Sequence, residues 1–282
     1  EQANVFYLRT HDDALVLRNE LKPGARLVVV GGGFIGLEVA ATARGLGCEV
    51  TLLEAGPRLA GRVLPSVISD ALLALHREQG VDVRLNVALE CIHADAVQLV
   101  DGQRLPCDLV VVGIGMQPNI ELAAAAGLEV GQGIRVDAQL RTSAADIYAA
   151  GDVCEFRLAG LYQRQETWRN AEAQGRLAAL NLLGRELAFE TIPGFWSDQY
   201  AWGLHTVGVM TALMVRRELP DGGQLLFYLD DHHRLQGACS WALGNRAAKD
   251  IKLCEHLITA RIPLNPASLA DPEVSLKLLL RG

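Results

Sequence analysis

The sequence predicts an α/β protein followed by a separate α+β domain. Three observations carry that expectation. Residues 26–30 are a short continuous apolar run, the pattern of a parallel-sheet strand covered on both faces, and they lead into a glycine cluster and a helical pattern. Later apolar runs also end at glycines, at Gly113 and at Gly151. Beyond Pro193-Gly194 the composition changes: three of the four tryptophans (Trp196, Trp202 and Trp241) lie there among alternating apolar patterns.

The elements follow in order. After Val5-Phe6-Tyr7-Leu8, a helix is expected over 12–21, with Thr10 as its N-cap and Asp13 in its first turn; Lys22-Pro23-Gly24 ends it. A strand over 26–30, a helix over 34–46 closed by Gly47, and a strand over 49–54 make one βαβ unit of about 30 residues. A helix over 65–79 stops at Gly80. Residues 81–100 read as two or three short strands, and Asp101-Gly102 as a hairpin turn. A buried strand over 109–112 runs into Gly113-Ile114-Gly115, and a helix over 120–126 ends at Gly127. Strands are then expected over 134–136 and 146–150, the second ending at Gly151-Asp152, followed by a helix over 171–183. The last part carries strands over 206–209, 225–229 and 235–243. A helix over 245–260 then presents Ala247, Ile251, Cys254 and Ile258 on one face.

Composition excludes several function classes. The chain has 282 residues, half of them hydrophobic, enough for two or three cores. Its net charge of −7 argues against nucleic acid as a partner. No apolar stretch approaches ~18 residues, so no membrane span is expected, and no signal peptide is visible. The six cysteines form no CxxC or Cys/His cluster, so reduced, buried thiols in the cytoplasm and no metal site are expected.

Gly31-Gly32-Gly33-Phe34-Ile35-Gly36 matches GxGxxG between a strand and a helix, the setting of a Rossmann dinucleotide site. Gly31 allows the tight turn, Gly33 lets backbone approach a pyrophosphate, and Gly36 lets helix and strand pack closely. The phosphates meet the helix N-terminus. Glu54 ends the next strand, where an acid accepts both ribose hydroxyls and repels a 2′-phosphate, favouring NADH over NADPH; Arg58 and Arg62 lie nearby. Glu38, placed in the first helical turn, either complements the helix dipole or contacts the cofactor.

A second signature, Thr142 to Val153 (TSAADIYAAGDV), ends in Gly151-Asp152 at a strand's carboxyl end, the ligand-binding edge of an open α/β sheet. It resembles the second flavin motif of two-dinucleotide-binding flavoproteins. Val111 to Asn119 (VVGIGMQPN) resembles their crossover between NAD and FAD domains. Glu166-Thr167-Trp168-Arg169-Asn170-Ala171, Phe195-Trp196-Ser197-Asp198 and Tyr7-Leu8-Arg9-Thr10 resemble the ferredoxin reductases of bacterial dioxygenase and cytochrome P450 systems.

The resemblance implies a link at 1–20, a Rossmann-type NAD domain at 21–130, a partial FAD-binding domain at 131–190 and a C-terminal α+β domain at 191–282. It implies FAD contacts from Arg9, Asp152, Glu166, Thr167, Trp168 and Trp196. It places Glu38 and Gly115 near the nicotinamide and counts Gly113 and Ile114 among the NAD contacts. For Arg9 a surface ion pair, and for Trp196 a core aromatic, stand as alternatives. The family's own first GxGxxG, which holds the ADP half of FAD, is not found, so an N-terminal FAD-binding segment is expected to be missing. The implied activity is electron transfer from NADH through FAD to a [2Fe–2S] ferredoxin, with no general acid or base required. Arg246, Lys249 and Lys252 are either a docking patch for an acidic ferredoxin or a solvated helix face. The alternatives to this activity are another pyridine nucleotide–disulfide oxidoreductase, an apoptosis-inducing-factor-like redox flavoprotein, and an inactive fragment that binds NAD.

Overall fold

The computed structural model describes residues 3–158 and 160–280. The chain divides into two compact units, one of residues 1–116 with 197–201, the other of 117–196 with 202–282.

In the first unit the elements run β1 (Val5–Phe6), α1 (His11–Glu20), β2 (Arg26–Val30), α2 (Phe34–Gly45), β3 (Glu49–Glu54), α3 (Ser66–Glu78) and β4 (Asp82–Leu85). A small insertion follows, β5 (Leu89–Ile92), β6 (Ala96–Leu99) and β7 (Arg104–Pro106), and then β8 (Leu109–Val112). The main sheet has the order β1-β8-β2-β3-β4, with every pair parallel. The chain therefore leaves β2 toward β3 on one side and returns as β8 on the other. This reversal opens a crevice at the carboxyl end of β2. Four of the five β2 residues are buried because both sheet faces are covered. One face packs Val28, Val30 and Val110 against Val97, Leu99 and Leu105 of the antiparallel insertion; α2 lies on β2 and β3. The Asp101-Gly102 turn joins β6 to β7, with Gly102 at φ +86°. Thr10 caps α1 in a reciprocal box with Asp13.

The second unit contains α4 (Glu121–Ala125), β9 (Ile134–Arg135), β10 (Cys154–Leu158), β11 (Leu161–Gln163) and α5 (Trp168–Leu182). Val136, Leu140, Cys154, Phe156 and Ala178 form their core. After them come β12 (Gly194–Gln199), β13 (Trp202–Gly208), β14 (Leu213–Glu218), β15 (Gln224–Leu229), β16 (Leu235–Leu243), α6 (Ala248–Ala260), α7 (Pro266–Ala270) and α8 (Leu276–Leu279). Strands β12 to β16 form one sheet, in the order β12-β13-β16-β15-β14. Helix α6 packs on β13 and β16 and buries Ile251, Cys254 and Leu257 against Phe227 and Leu225. The molecule is thus mixed α/β with a closing α+β part, as its sequence predicts.

One expected element differs. Residues 146–150 are not a strand: only Tyr148 makes a bridge, to Arg141. The Thr142 hydroxyl donates to the Ile147 carbonyl at 2.9 Å, and the Thr142 N–H donates to the same oxygen at 2.9 Å. These local bonds fold the segment into a loop, the competition that Ser and Thr side chains offer to ladder pairing.

Candidate functional site

The glycine loop lies between β2 and α2. Gly31, at φ +109°, donates its N–H to the Leu53 carbonyl at 2.8 Å. A Cβ there would lie 2.4 Å from the Gly113 carbonyl oxygen, and one on Gly36 would lie 2.0 Å from the Gly31 oxygen. Both positions are closed to any side chain. Gly33 is the opposite case: a Cβ there meets nothing within 4 Å. It is the N-cap of α2 and supplies no side-chain cap, so the first amides of the helix are served by no side chain of the cap residue. Open space over helix amides is the cradle that a dinucleotide pyrophosphate requires. Ile35 and Ile114 are exposed apolar side chains, Ile114 by 69 %, and Gly115 has the left-handed φ of +113°.

Glu54, the last residue of β3, closes the loop from the other side. Its two carboxylate oxygens accept the N–H groups of Gly32 at 2.7 Å and Gly56 at 2.6 Å. Both bonds lock the carboxylate at the sheet edge while lone pairs remain for ribose hydroxyls. Gly32 is a site residue that the GxGxxG pattern alone leaves as "x". A Cβ on it would press on Leu59 at 2.8 Å and on Glu54 at 2.9 Å. The unbroken run of three glycines is the signal for it. Arg62 is exposed, and Arg58 donates to the Gly61 carbonyl at 3.1 Å.

Glu38 is the fifth residue of α2 and so falls in the second turn, not the first; dipole complementarity at the helix start does not account for it. Its residue surface is exposed, yet the carboxyl head sits in a part-buried bond, accepting the Ser197 hydroxyl at 2.5 Å. Desolvation pushes its pKa up, the Ser197 bond opposes the shift, and Asp198 adds to it.

The second signature lies in the second unit. The Gly151 N–H donates to Gln174 Oε1 at 2.8 Å, and Arg164 donates to the Asp152 carbonyl at 3.2 Å and pairs with Glu166 at 2.7 Å. Thr167 is the N-cap of α5 and accepts the Asn170 N–H. Trp168 and Trp196 stand edge to face with centroids 5.9 Å apart, 67 % and 47 % exposed, so Trp196 is not a core aromatic. Two buried polar atoms on α5, Gln174 Nε2 and Asn170 Oδ1, have no partner among the described residues. An exposed aromatic pair suits a flat ring system such as a flavin. Gln174 is not legible in the sequence because a polar residue on a helix gives no sign that it is buried, and Arg164 because it lies in the link between β11 and α5, where nothing local marks its bond to the Asp152 carbonyl.

Arg9 lies in the first unit, is exposed, and makes no ion pair among the described residues; its N–H donates to Asp13 at 3.1 Å. Arg246 precedes α6 and pairs with Asp221, which cancels part of the expected basic patch, while Lys249 and Lys252 stay exposed. The cysteines are free thiols, five of them buried and Cys91 half-buried. Among the described residues no helix is long and apolar enough to cross a membrane, and no cluster of potential metal ligands occurs.

Comparison with known proteins agrees with this geometry. Residues 1–175 match the pyridine nucleotide-disulphide oxidoreductase family and 194–280 match the reductase C-terminal family. The ferredoxin–NAD(+) reductase component of the anthranilate 1,2-dioxygenase system from Burkholderia cepacia is 43 % identical, over 97 % of this chain and 69 % of that protein. Putidaredoxin reductase from Pseudomonas putida is 40 % identical, over 99 % and 68 %. The crystal structure of a covalent putidaredoxin reductase–putidaredoxin complex superposes with a TM-score of 0.89 at 38 % identity, covering 99 % of this chain and 68 % of that one. The chain therefore spans about two thirds of the length of these relatives, and it belongs to the pyridine nucleotide-disulphide oxidoreductase family, with a reductase C-terminal domain.

Proposed function

We propose that the protein is an NADH-dependent flavoprotein reductase that delivers electrons to a [2Fe–2S] ferredoxin of an oxygenase system. The glycine loop closed by Glu54 carries this reading, in a chain whose relatives are ferredoxin–NAD(+) reductases. Gly31, Gly33, Phe34, Ile35 and Gly36 hold the NADH pyrophosphate against the start of α2. Glu54 takes the adenosine ribose, with Arg62 beside it. Glu38, Gly113, Ile114 and Gly115 receive the nicotinamide half, because β3 and β8 flank β2 on opposite sides and a dinucleotide lies across both. Asp152, Glu166, Thr167, Trp168 and Trp196 are assigned to FAD, as is Arg9. FAD, when bound, supplies the conversion of a two-electron hydride donor into single electrons. The protein's part is to bind and orient; no acid–base residue is required. The free, mostly buried thiols favour a reducing compartment, the cytoplasm.

Anaerobic addition of NADH should bleach the flavin absorbance of the purified holoprotein. Cytochrome c reduction should then depend on added [2Fe–2S] ferredoxin. Flavin bleaching by NADH accompanied by a cytochrome c reduction rate indifferent to added ferredoxin would overturn the proposed partner.

A further inference from the structure

A chain of buried polar side chains runs away from Glu38 within the first unit. Ser197 donates its hydroxyl to Glu38 Oε1 at 2.5 Å. Gln199 Nε2 donates to Ser197 Oγ at 3.2 Å. Gln199 Oε1 can only accept, so the 2.7 Å contact with His76 Nε2 requires the proton on that nitrogen. His76 Nδ1 is then an acceptor and faces the Tyr200 hydroxyl at 3.5 Å, with the two rings edge to face at 5.3 Å. Every donor thus points toward Glu38. Ser197, Gln199 and His76 are at most 1 % exposed. Tyr200 sits in the link between β12 and β13 at φ +55°, a left-handed conformation that costs an aromatic residue roughly 1–2 kcal/mol. A buried chain with each member satisfied by the next, kept at the expense of backbone strain, specifies a geometry more than it adds stability.

We propose that Tyr200, His76, Gln199 and Ser197 form a one-directional hydrogen-bond relay ending on Glu38, and that His76 is thereby a positioning residue for the nicotinamide half of NADH. The proposal rests on the reading that Glu38 faces the nicotinamide. Fixing Oε1 on Ser197 sets the carboxylate plane and leaves Oε2 for a ligand donor such as the carboxamide N–H₂. The Ser197 bond also favours the ionised, accepting form of Glu38, against its partial desolvation.

Calorimetric titration of the FAD-loaded protein with NAD(+) and, separately, with ADP-ribose tests this. ADP-ribose lacks the nicotinamide. Ser197→Ala and His76→Leu should weaken NAD(+) binding about three- to tenfold, the worth of one hydrogen bond, and leave ADP-ribose binding unchanged. His76→Gln, whose amide can still donate to Gln199, should stay within about twofold of the wild type. The double variant should be no weaker than Ser197→Ala alone, since a chain already cut cannot be cut again. Equal weakening of both ligands, multiplicative effects in the double variant, or His76→Gln as weak as His76→Leu would overturn the relay. Ser197→Ala keeps the test open if His76→Leu does not fold. Failure of the wild type to bind ADP-ribose would instead remove the dinucleotide site itself, and the relay with it.

Discussion

In the Gly31 loop the close approaches are between backbone atoms: Gly36 against the Gly31 carbonyl, Gly31 against the Gly113 carbonyl. In the Gly151 loop side chains hold the backbone: Gln174 takes the Gly151 N–H, and Arg164 binds the Asp152 carbonyl. The first arrangement is specified by what is missing, a set of Cβ atoms. The second is specified by long polar residues that come later in the chain. Backbone-on-backbone packing leaves no slack, so it should fail abruptly when altered. A side-chain clamp can lose one member and relax.

The sharpest test is a pair of alanine substitutions within the Gly31 loop. Gly36→Ala puts a Cβ 2.0 Å from a carbonyl oxygen that cannot move without opening the β2–α2 turn. Thermal unfolding should show a loss of about 1–3 kcal/mol or more from overpacking. NADH binding should weaken by well over tenfold. Gly33→Ala places its methyl in open space at an ordinary φ of −79°. Stability should stay within about 0.5 kcal/mol, while NADH affinity still falls because the methyl stands where the pyrophosphate approaches. If Gly33→Ala left NADH affinity intact, the cradle would not be where the phosphates bind.

The clamp of the second loop breaks more gently. Gln174→Leu leaves the Gly151 N–H buried without an acceptor, which should cost about 1–3 kcal/mol in denaturant unfolding. Gly151→Ala brings its Cβ only to 3.5 Å from Ala171, an ordinary contact, so the cost is that of φ +86°, roughly 1–2 kcal/mol. Both variants should keep NADH binding and weaken flavin retention. Retention of the flavin at wild-type affinity by both would separate this loop from FAD.

The same contrast explains what the sequence could tell. The strands 26–30, 49–54, 109–112 and 235–243 are legible to the residue, because apolar runs bounded by glycine or charge leave one placement. The Gly31 loop is legible because its specification is local, six consecutive residues between a strand and a helix. The 146–150 segment misleads because its apolar pattern is that of a strand, while one hydroxyl, on Thr142, bends it into a loop. Strands β10 and β14 pass unnoticed because Glu155 and Arg217, charged residues that are buried, interrupt their patterns. Arg217 is buried because its guanidinium donates to the carbonyls of Ser268, Leu269 and Val274, some 50 residues on, a satisfaction no local pattern can show. The relay from Glu38 to His76 joins residues more than 120 positions apart and is likewise invisible in one dimension.

The two regions should also differ in how stability follows pH, though the effect is the smallest expected here. Burial lowers the His76 pKa from its usual 6.5, with the Gln199 bond opposing. Between 6.5 and that lower value the unfolded chain takes up a proton that the folded chain refuses. Stability therefore falls as pH drops through this window, and nothing is lost above it. Glu38 has the opposite sign: its raised pKa means the folded state holds its proton longer, so its contribution falls as pH rises above the usual 4.5. Beside the Gly151 loop, burial pushes the Cys154 thiol up to about 12, far outside this range. Denaturant midpoints between pH 5 and 8 should show a shallower acid limb for His76→Gln than for the wild type. Cys154→Ser, whatever its overall cost, should keep the wild-type slope. An unchanged slope in His76→Gln would mean that His76 does not stay neutral in the folded protein; its Nδ1 would then donate to the Tyr200 oxygen, reversing that bond while the bond to Gln199 keeps its direction.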